Sequence, residues 1–153
     1  MAVYRTGAVG LWRPVRASDL MPHSFALRVY YEDTDLAGIV YYANYLKFIE
    51  RARTEWVRGL GVDQGAMRAT QGLVFAVRRV EADYLKPAHF DDELVVETAD
   101  IAVTGARITL EQTVLRGGER IFTAQVTLVC LTDDGHPARI PATLRQKLAT
   151  TAH

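Results

Sequence analysis

The residues with the clearest chemical potential in this 153-residue chain are three acids close together in a short polar stretch. Glu32, Asp33 and Asp35 stand between a strand-like run and a helix-like run, and Gly38 follows them. A carboxylate there can serve as a general base or a nucleophile. The start of the next helix offers unpaired backbone N–H groups that stabilise a developing oxyanion, and a glycine permits close approach of a ligand. The alternative is that these acids are solvated or cap the helix.

Two elements must position this loop. Residues 25–31 alternate apolar and polar side chains, which predicts a strand. From Asn44 the apolar residues recur every three or four positions, which predicts one amphipathic helix of about four to five turns. Asn44 is the predicted N-cap, and Gly59 and Gly61 are the stop signals. The apolar face of this helix comprises Tyr45, Phe48, Ile49, Ala52, Trp56 and Leu60.

Most of the sequence after residue 71 predicts strands joined by short turns. Residues 73–85 alternate but slip in phase at Arg78 and Arg79, which indicates a β-bulge. Residues 93–103, 107–115 and 121–131 are further strands, and residues 141–148 are typical of a short helix. Short hairpins make an antiparallel sheet, and only one long helix is available to cover its apolar face. The prediction is an α+β domain in which a five-stranded antiparallel sheet wraps around one long central helix.

Composition and charge exclude several classes of protein. Eighteen basic residues balance eighteen acidic ones, which argues against a dedicated nucleic-acid or anionic-membrane binder. Cys130 is the single cysteine and lies in an apolar run, so we expect a buried, reduced thiol in a cytoplasmic protein. The four histidines are scattered, so no metal site is predicted. No stretch is apolar enough to span a bilayer or to act as a secretory signal, so residues 1–23 are predicted to be a flexible leader before a domain at residues 24–153.

A longer pattern covers the acidic loop and the helix. Residues 31–56 read YEDTDLAGIVYYANYLKFIERARTEW, and the pattern continues with YLKPA at residues 84–88, with Asp91 and Asp92, and with an Ile-Pro pair at residues 140–141. These motifs resemble the signature of hotdog-fold acyl-CoA thioesterases of the 4-hydroxybenzoyl-CoA thioesterase superfamily, especially its YbgC branch. The resemblance covers residues 25–148 and implies the hotdog fold and hydrolysis of an acyl-CoA thioester to a free acid and coenzyme A.

The resemblance also implies roles for particular residues. The catalytic carboxylate falls on Asp35, acting as base or nucleophile, and the backbone N–H that polarises the thioester carbonyl falls on Tyr42. Asp33 becomes a supporting residue of the loop. Many members of the YbgC branch have a histidine at position 42, so the tyrosine here argues against a histidine-assisted step. The arginine-rich turn that binds coenzyme A phosphates in the hydroxybenzoyl-CoA enzymes is also missing, and only Arg107 stands near its position.

The predicted substrate contacts surround this loop. Gly38 permits close approach, and plain core packing is the alternative for the apolar residues. No metal and no organic cofactor is expected, because a carboxylate, water and N–H donors suffice, and coenzyme A is part of the substrate. The resemblance implies a homodimer or homotetramer with active sites at the dimer interface, and acyl carrier protein is an alternative carrier. The predicted substrate-binding residues are Gly38, Ile39, Val40, Tyr41, Tyr45 and Phe75.

Two other functions stay open at this stage. A hydratase or dehydratase of the same fold needs a catalytic histidine paired with an acid, and neither the loop nor the helix contains a histidine. A non-catalytic module that binds acyl-CoA or acyl carrier protein would need no catalytic carboxylate. Asp35 and Gly38 therefore favour catalysis, although fold by itself does not decide between them.

Overall fold

The chain folds around one antiparallel sheet. The computed structural model describes residues 4–6, 12–14 and 22–148. Two short strands, β1 (Tyr4–Thr6) and β2 (Trp12–Pro14), pair with each other. The remaining strands form a five-stranded sheet in the order β3-β5-β6-β7-β4, and they are β3 (His23–Arg28), β4 (Leu73–Tyr84), β5 (Glu93–Val103), β6 (Arg107–Arg116) and β7 (Glu119–Thr132).

The predicted sheet is confirmed, and its first strand begins at His23, one residue before the predicted start of the domain. The predicted leader, residues 1–23, contains β1 and β2, and its residues 1–3, 7–11 and 15–21 lie outside the described part of the chain.

The predicted central helix is α1 (Asn44–Gly59), which packs against β3 and β5. Its buried face meets inward-facing strand residues such as Leu94, Leu110 and Phe122, which are at most 1% exposed. Burying a large apolar side chain stabilises the fold by about 1.5–3 kcal/mol, so this face determines where the helix lies. The buried residues of α1 are Tyr45, Phe48, Ile49, Ala52, Trp56 and Val57.

A second helix, α2 (Gln64–Gln71), was not predicted. Its sequence lacks the apolar repeat that predicted α1, and in the structure Met67 is the buried residue of this helix. The Asp63 carboxylate accepts a hydrogen bond from the Ala66 N–H at 3.0 Å, and Gly72 ends the helix in the left-handed region at φ 63°. A short third helix, α3 (Ala142–Arg145), lies within the predicted C-terminal helix.

The phase slip at Arg78 and Arg79 is a β-bulge, as predicted. The pairing of β4 with β7 shifts register between Val77 and Arg79. Phe75 and Val77 pair with buried residues before the bulge, and Val80 and Tyr84 do so after it. Since directly paired residues share a face of the sheet, the bulge keeps both halves of β4 facing the helix side.

Candidate active site

The loop between β3 and α1 is a compact turn held by its own backbone. Thr34 and Val40 pair as an isolated antiparallel bridge, and the Asp35 N–H donates to the Ile39 carbonyl at 3.0 Å. The Gly38 N–H donates to the Asp35 carbonyl at 3.0 Å, with Gly38 at φ 79°. A side chain at this φ is strained, so glycine is the residue that closes the turn. Asp35 is thus presented at the tip of a hydrogen-bonded loop.

Asp33 shapes this loop, as expected from the sequence. Its carboxylate accepts a hydrogen bond from the Tyr30 N–H at 2.8 Å, within a single 3₁₀ turn at Tyr31–Asp33. Its backbone carbonyl accepts from the Tyr41 N–H and from the Asn44 side-chain amide, both at 2.9 Å. The predicted strand at residues 25–31 is therefore too long, because the chain turns here in place of continuing the sheet.

Asn44 is not the N-cap, which corrects the sequence prediction. The cap position is Ala43, which has no side chain able to accept a hydrogen bond, and the Asn44 amide donates to the Asp33 carbonyl. The first turn of α1 is consequently left without a side-chain cap. The Asn44 and Leu46 N–H groups of this turn donate to the Tyr41 and Ala43 carbonyls at 2.8 and 3.1 Å, so any N–H open to an external acceptor lies elsewhere at the helix start.

The Tyr42 N–H is the available donor nearest the loop. The Tyr41 carbonyl, in the same peptide unit, accepts from the Asn44 N–H at 2.8 Å. In a planar trans peptide the N–H points opposite to that carbonyl, so it is directed away from the helix. Among the described residues none accepts a hydrogen bond from the Tyr42 N–H. The Tyr42 N–H is therefore an oriented donor at the helix start.

Asp35 is exposed and one of its oxygens is already oriented. Oδ1 accepts a hydrogen bond from the Ala37 N–H at 2.9 Å. The pKa of the Tyr41 hydroxyl is raised, first by its side-chain interaction with Tyr42 and, as the smallest cause, by the charge of Asp35. Asp35 therefore lies within electrostatic range of the tyrosine that precedes the free N–H.

Aromatic residues surround the start of α1. The Tyr84 hydroxyl donates to the Tyr42 carbonyl at 2.9 Å, and the Tyr84 ring packs edge-on against Phe122. The Tyr45 ring stacks on Phe122 with centroids 4.9 Å apart. The peptide unit after Tyr42 is thereby anchored to β4 and, through Phe122, to the core.

Residues 87–92 form a second loop, which is hydrogen-bonded to the loop between β3 and α1. The Val40 N–H donates to the Ala88 carbonyl at 2.8 Å, and the Ala88 N–H donates to the Tyr45 hydroxyl at 3.0 Å. The Asp92 carboxylate accepts from the His89 N–H at 2.8 Å and from Arg116 at 3.0 Å. Burial acts to raise the pKa of Asp92, but these two donors outweigh it and hold that pKa below its ordinary value.

A separate cleft lies between α1 and the edge strand β4. Its volume is about 180 Å³, and it is lined by Glu50, Arg53, Thr54, Val57, Gln64, Phe75, Val77 and Leu128. The Thr54 hydroxyl donates to Glu50 at 2.9 Å. Burial lowers the pKa of Arg53, and the charge of Glu50 acts in the opposite direction. The cleft therefore combines apolar walls with one partly buried cation.

The predicted substrate-binding residues are spread over three environments. Gly38 and Tyr41 are exposed on the loop, while Ile39 is half-buried. Val40 and Tyr45 are each 3% exposed and belong to the hydrophobic core, so packing accounts for them. Phe75 lines the cleft, apart from the loop in a single chain. A substrate contact for these residues stays a prediction.

Arg53 and Gln112 were not predicted from the sequence. Arg53 follows Ala52 and lies one helical turn after Ile49, both of which belong to the apolar face of the predicted helix. A charged residue at the border of that face was the pattern that could have indicated Arg53. Gln112 stands between Leu110 and Val114 in a strand that alternates, at a position where an apolar residue is expected. Among the residues described, no cluster of three potential ligand side chains could hold a metal, and no helix is long and apolar enough to cross a membrane.

A model of the thioesterase-like superfamily matches residues 29–148 of this chain. The chain belongs to that superfamily. The acyl-CoA thioesterase YbgC of Haemophilus influenzae is 45% identical over 108 residues, which is 71% of this chain and 79% of that protein. The acyl-CoA thioester hydrolase YbgC of Escherichia coli is 38% identical over 106 residues, covering 69% of this chain and 78% of that protein.

The fold agrees with solved structures of the same kind. A probable thioesterase from Bartonella henselae superposes with a TM-score of 0.76 at 37% identity, and the match covers 78% of this chain and 99% of that one. The predicted family, hotdog fold and enzyme class are therefore confirmed. This member of the thioesterase-like superfamily is a thioester hydrolase.

Proposed function

We propose that the protein hydrolyses acyl-CoA thioesters to a free acid and coenzyme A, with Asp35 and the Tyr42 N–H as its catalytic groups. The observation that carries the proposal is the unpaired, oriented Tyr42 N–H at the uncapped start of α1, beside the loop that presents Asp35. The relatives named as acyl-CoA thioesterases support the substrate class.

The thioester carbonyl oxygen accepts a hydrogen bond from the Tyr42 N–H. As the carbonyl is attacked, negative charge builds on that oxygen, and one good donor in such a position stabilises the transition state by roughly 3–4 kcal/mol. The partial positive charge of the helix start acts in the same direction. Because the donor is already oriented by its neighbours, the protein does not have to reorganise when the charge develops.

Asp35 supplies the attacking group in one of two ways. Its carboxylate oxygen bonds to the carbonyl carbon and the C–S bond breaks, so coenzyme A leaves as a thiolate and water then hydrolyses the mixed anhydride. Alternatively, the carboxylate takes a proton from a water molecule whose oxygen attacks the carbonyl carbon; the C–S bond then breaks, and coenzyme A leaves as a thiolate that takes up the proton held by Asp35. The Ala37 N–H occupies Oδ1, and no described residue donates to Oδ2, so Oδ2 is free for either task. Both routes use the same residue and the same oxyanion donor.

We further propose a homodimer formed through β4, within a dimer or tetramer. β4 is an edge strand whose second side pairs with no described strand, and inner-face residues such as Val77 (46% exposed) and Tyr84 (48%) are uncovered. An unpaired edge beside exposed apolar surface favours pairing with a second copy. Such pairing would cover the cleft and place it at the interface, where the acyl group can be enclosed.

Two finer points belong to the same proposal. The carrier of the acyl group is coenzyme A, with acyl carrier protein as the alternative. The protein is located in the cytoplasm. Cys130, the only cysteine, is 1% exposed, and burial raises the pKa of its thiol. A buried, protonated thiol of this kind is typical of a reduced compartment and of a structural rather than a catalytic role.

The test is a thiol-release assay over short, long and aromatic acyl-CoAs with wild type, Asp35→Asn and Glu32→Gln. Glu32 is an exposed acid of the same loop with no hydrogen bond or ion pair to the described residues, so it is a matched control. Asp35→Asn is expected to lose about 100-fold or more in kcat, while Glu32→Gln keeps its activity. Wild-type activity in Asp35→Asn refutes the assignment. Substrate binding without turnover by wild type supports the binding module instead.

A further inference from the structure

Three side chains share one face of the two loops at the site. Thr34 pairs with Val40, and the Asp35 N–H donates to the Ile39 carbonyl, so Asp35 and Ile39 are the next opposed pair of a small antiparallel ladder. Ile39 in turn pairs with His89 of the second loop. Residues directly opposed across antiparallel strands place their side chains on the same face. Asp35, Ile39 and His89 therefore lie side by side, with Ile39 in the middle.

This face is turned away from the core. Neighbours along an extended strand alternate between faces, and Val40, which follows Ile39, is 3% exposed and belongs to the hydrophobic core. Ile39 is half-buried, whereas Asp35 and His89 are exposed. Ile39 thus forms an apolar floor between a carboxylate and an imidazole, and that floor is open to a molecule entering from solvent.

The spacing of the outer two residues matches the two ends of a thioester bond. Opposed Cα atoms in an antiparallel ladder are about 4.5–5.5 Å apart, so those of Asp35 and His89 are about 10 Å apart. A carboxylate oxygen attacking the carbonyl carbon and an N–H donating to the sulfur each lie about 3 Å from the C–S bond, so the two groups are about 8 Å apart. A thioester lying across Ile39 therefore has Asp35 at its carbon and His89 at its sulfur.

The His89 ring is oriented by Asp92. The His89 N–H donates to Asp92 Oδ2 at 2.8 Å, and Nδ1 of the ring lies 3.9 Å from the same oxygen. Arg116 donates to that oxygen at 3.0 Å and fixes the carboxylate. Because the carboxylate faces Nδ1, Nε2 is the ring nitrogen left to an outside partner. Imidazole is also the side chain that most readily exchanges a proton near neutral pH.

We propose that His89 is a third catalytic group, which donates the proton on Nε2 to the thioester sulfur as the C–S bond breaks. This inference rests on the proposed function and adds an acid to the same site. When Asp35 attacks the carbonyl carbon, the electron pair of the C–S bond passes to sulfur and the His89 proton joins it, so coenzyme A leaves as a neutral thiol. Water then opens the mixed anhydride, and the proton released in that step returns to His89. In the route through water, the proton taken up by Asp35 makes this return to His89 in place of passing to sulfur.

The experiment varies the thiol and keeps the acyl group. The substrates are butyryl and benzoyl thioesters of N-acetylcysteamine, an alkyl thiol, and of 4-nitrothiophenol, whose thiolate leaves without a proton. The measured quantity is kcat/KM, which reports the steps up to release of the thiol, and the ratio between the two thiols does not depend on the fraction of protein that is folded. His89→Gln is expected to lower kcat/KM about 100-fold on the alkyl thioesters and less than about threefold on the aryl thioesters. Asp35→Asn should lose activity on both.

His136→Gln is the matched control, because His136 is also an exposed histidine beside a carboxylate, with Nδ1 3.0 Å from Asp134, but it follows β7 and lies in neither loop of the site. It should leave both thiols unaffected. If His89→Gln keeps wild-type kcat/KM on the alkyl thioesters, or loses the same factor on both thiols, the inference is wrong. It is equally wrong if Tyr41→Phe shows the selective loss in place of His89→Gln. If wild type cleaves no thioester, acyl-CoAs included, the proposed function itself fails, which is a separate result.

Discussion

Asp92→Asn is the substitution that tests how the second loop stabilises the first. Asp92 accepts hydrogen bonds from the His89 N–H and from Arg116, which also donates to the Pro87 carbonyl at 2.8 Å. The loop held in this way carries Ala88, whose carbonyl accepts from the Val40 N–H of the loop that presents Asp35. Asparagine keeps the size and one oxygen acceptor but removes the negative charge.

The magnitude follows from the two hydrogen bonds. A hydrogen bond to a charged group contributes about 1.5–3 kcal/mol and a neutral one about 0.5–1.5, so each bond loses about 1 kcal/mol. The Asp92 side chain is 25% exposed and Arg116 is 31% exposed, so solvent reduces the total. We expect a loss of about 1–2 kcal/mol in unfolding free energy at pH 7, or roughly 2–8 °C in Tm for a domain of this size.

The same substitution has a defined pH dependence. Asp92 has a folded-state pKa below its ordinary value, because the His89 N–H and Arg116 outweigh the effect of burial. Its stabilisation is therefore fully present above the unfolded pKa of about 3.9 and is lost as the pH falls through the lower, folded pKa. The difference between wild type and Asp92→Asn should accordingly be constant from neutral pH to about pH 5 and should shrink below about pH 4.

The assay is urea unfolding of wild type, Asp92→Asn and Glu32→Gln at neutral pH and in steps down to acid. Glu32→Gln makes the equivalent change at an exposed acid and should shift stability by less than about 0.5 kcal/mol. Equal stability of Asp92→Asn and wild type at pH 7 would show that the two hydrogen bonds contribute nothing. A difference that persists undiminished at the most acidic pH would show that it does not arise from the charge.

Three further substitutions test the site and its supports. Gly38→Ala should lower the unfolding free energy by about 1–2 kcal/mol and should also lower kcat. The added Cβ meets nothing within 4 Å, but an alanine is strained at φ 79°. An unchanged urea midpoint contradicts this prediction. Tyr84→Phe removes the donor to the Tyr42 carbonyl, so kcat should fall while the unfolding free energy changes by about 1 kcal/mol; unchanged kcat shows that this anchor is dispensable. Gln112→Ala leaves buried partners unpaired and a cavity, so thermal unfolding should show a loss of about 3 kcal/mol or more, and near-wild-type stability refutes the network.

The fold could be predicted from local patterns because each pattern has a single physical cause. The three- and four-residue spacing from Tyr45 to Trp56 determined α1, since those positions share one face of a helix. The phase slip at Arg78 determined the bulge, since a period of two cannot change face without an extra residue. The same patterns missed α2, in which only Met67 is buried, because a short helix needs little core contact.

The loop chemistry was predicted in type but not in arrangement. Asp33, Asp35 and Gly38 lie close together in the sequence, so their local hydrogen bonds could be anticipated from residue types. Asn44 was misjudged because an asparagine can both accept and donate, and its role depends on whether a carbonyl or an N–H lies nearby. Here the Asp33 carbonyl, eleven positions earlier, receives its amide.

By itself, the sequence determined the elements, the acidic loop and the resemblance that led to the family. Only the tertiary structure decided that the Tyr42 N–H has no partner among the described residues, that Asp92 and Arg116 hold the loop next to that of Asp35, and that the Gln112 oxygen accepts a hydrogen bond from Arg53 at the cleft. Arg53 and Gln112 are separated by 59 positions, and Asp92 and Arg116 by 24. Periodicity reports which face a residue occupies, whereas a hydrogen bond across elements depends on how the helix and the strands pack, and that is determined by the core as a whole.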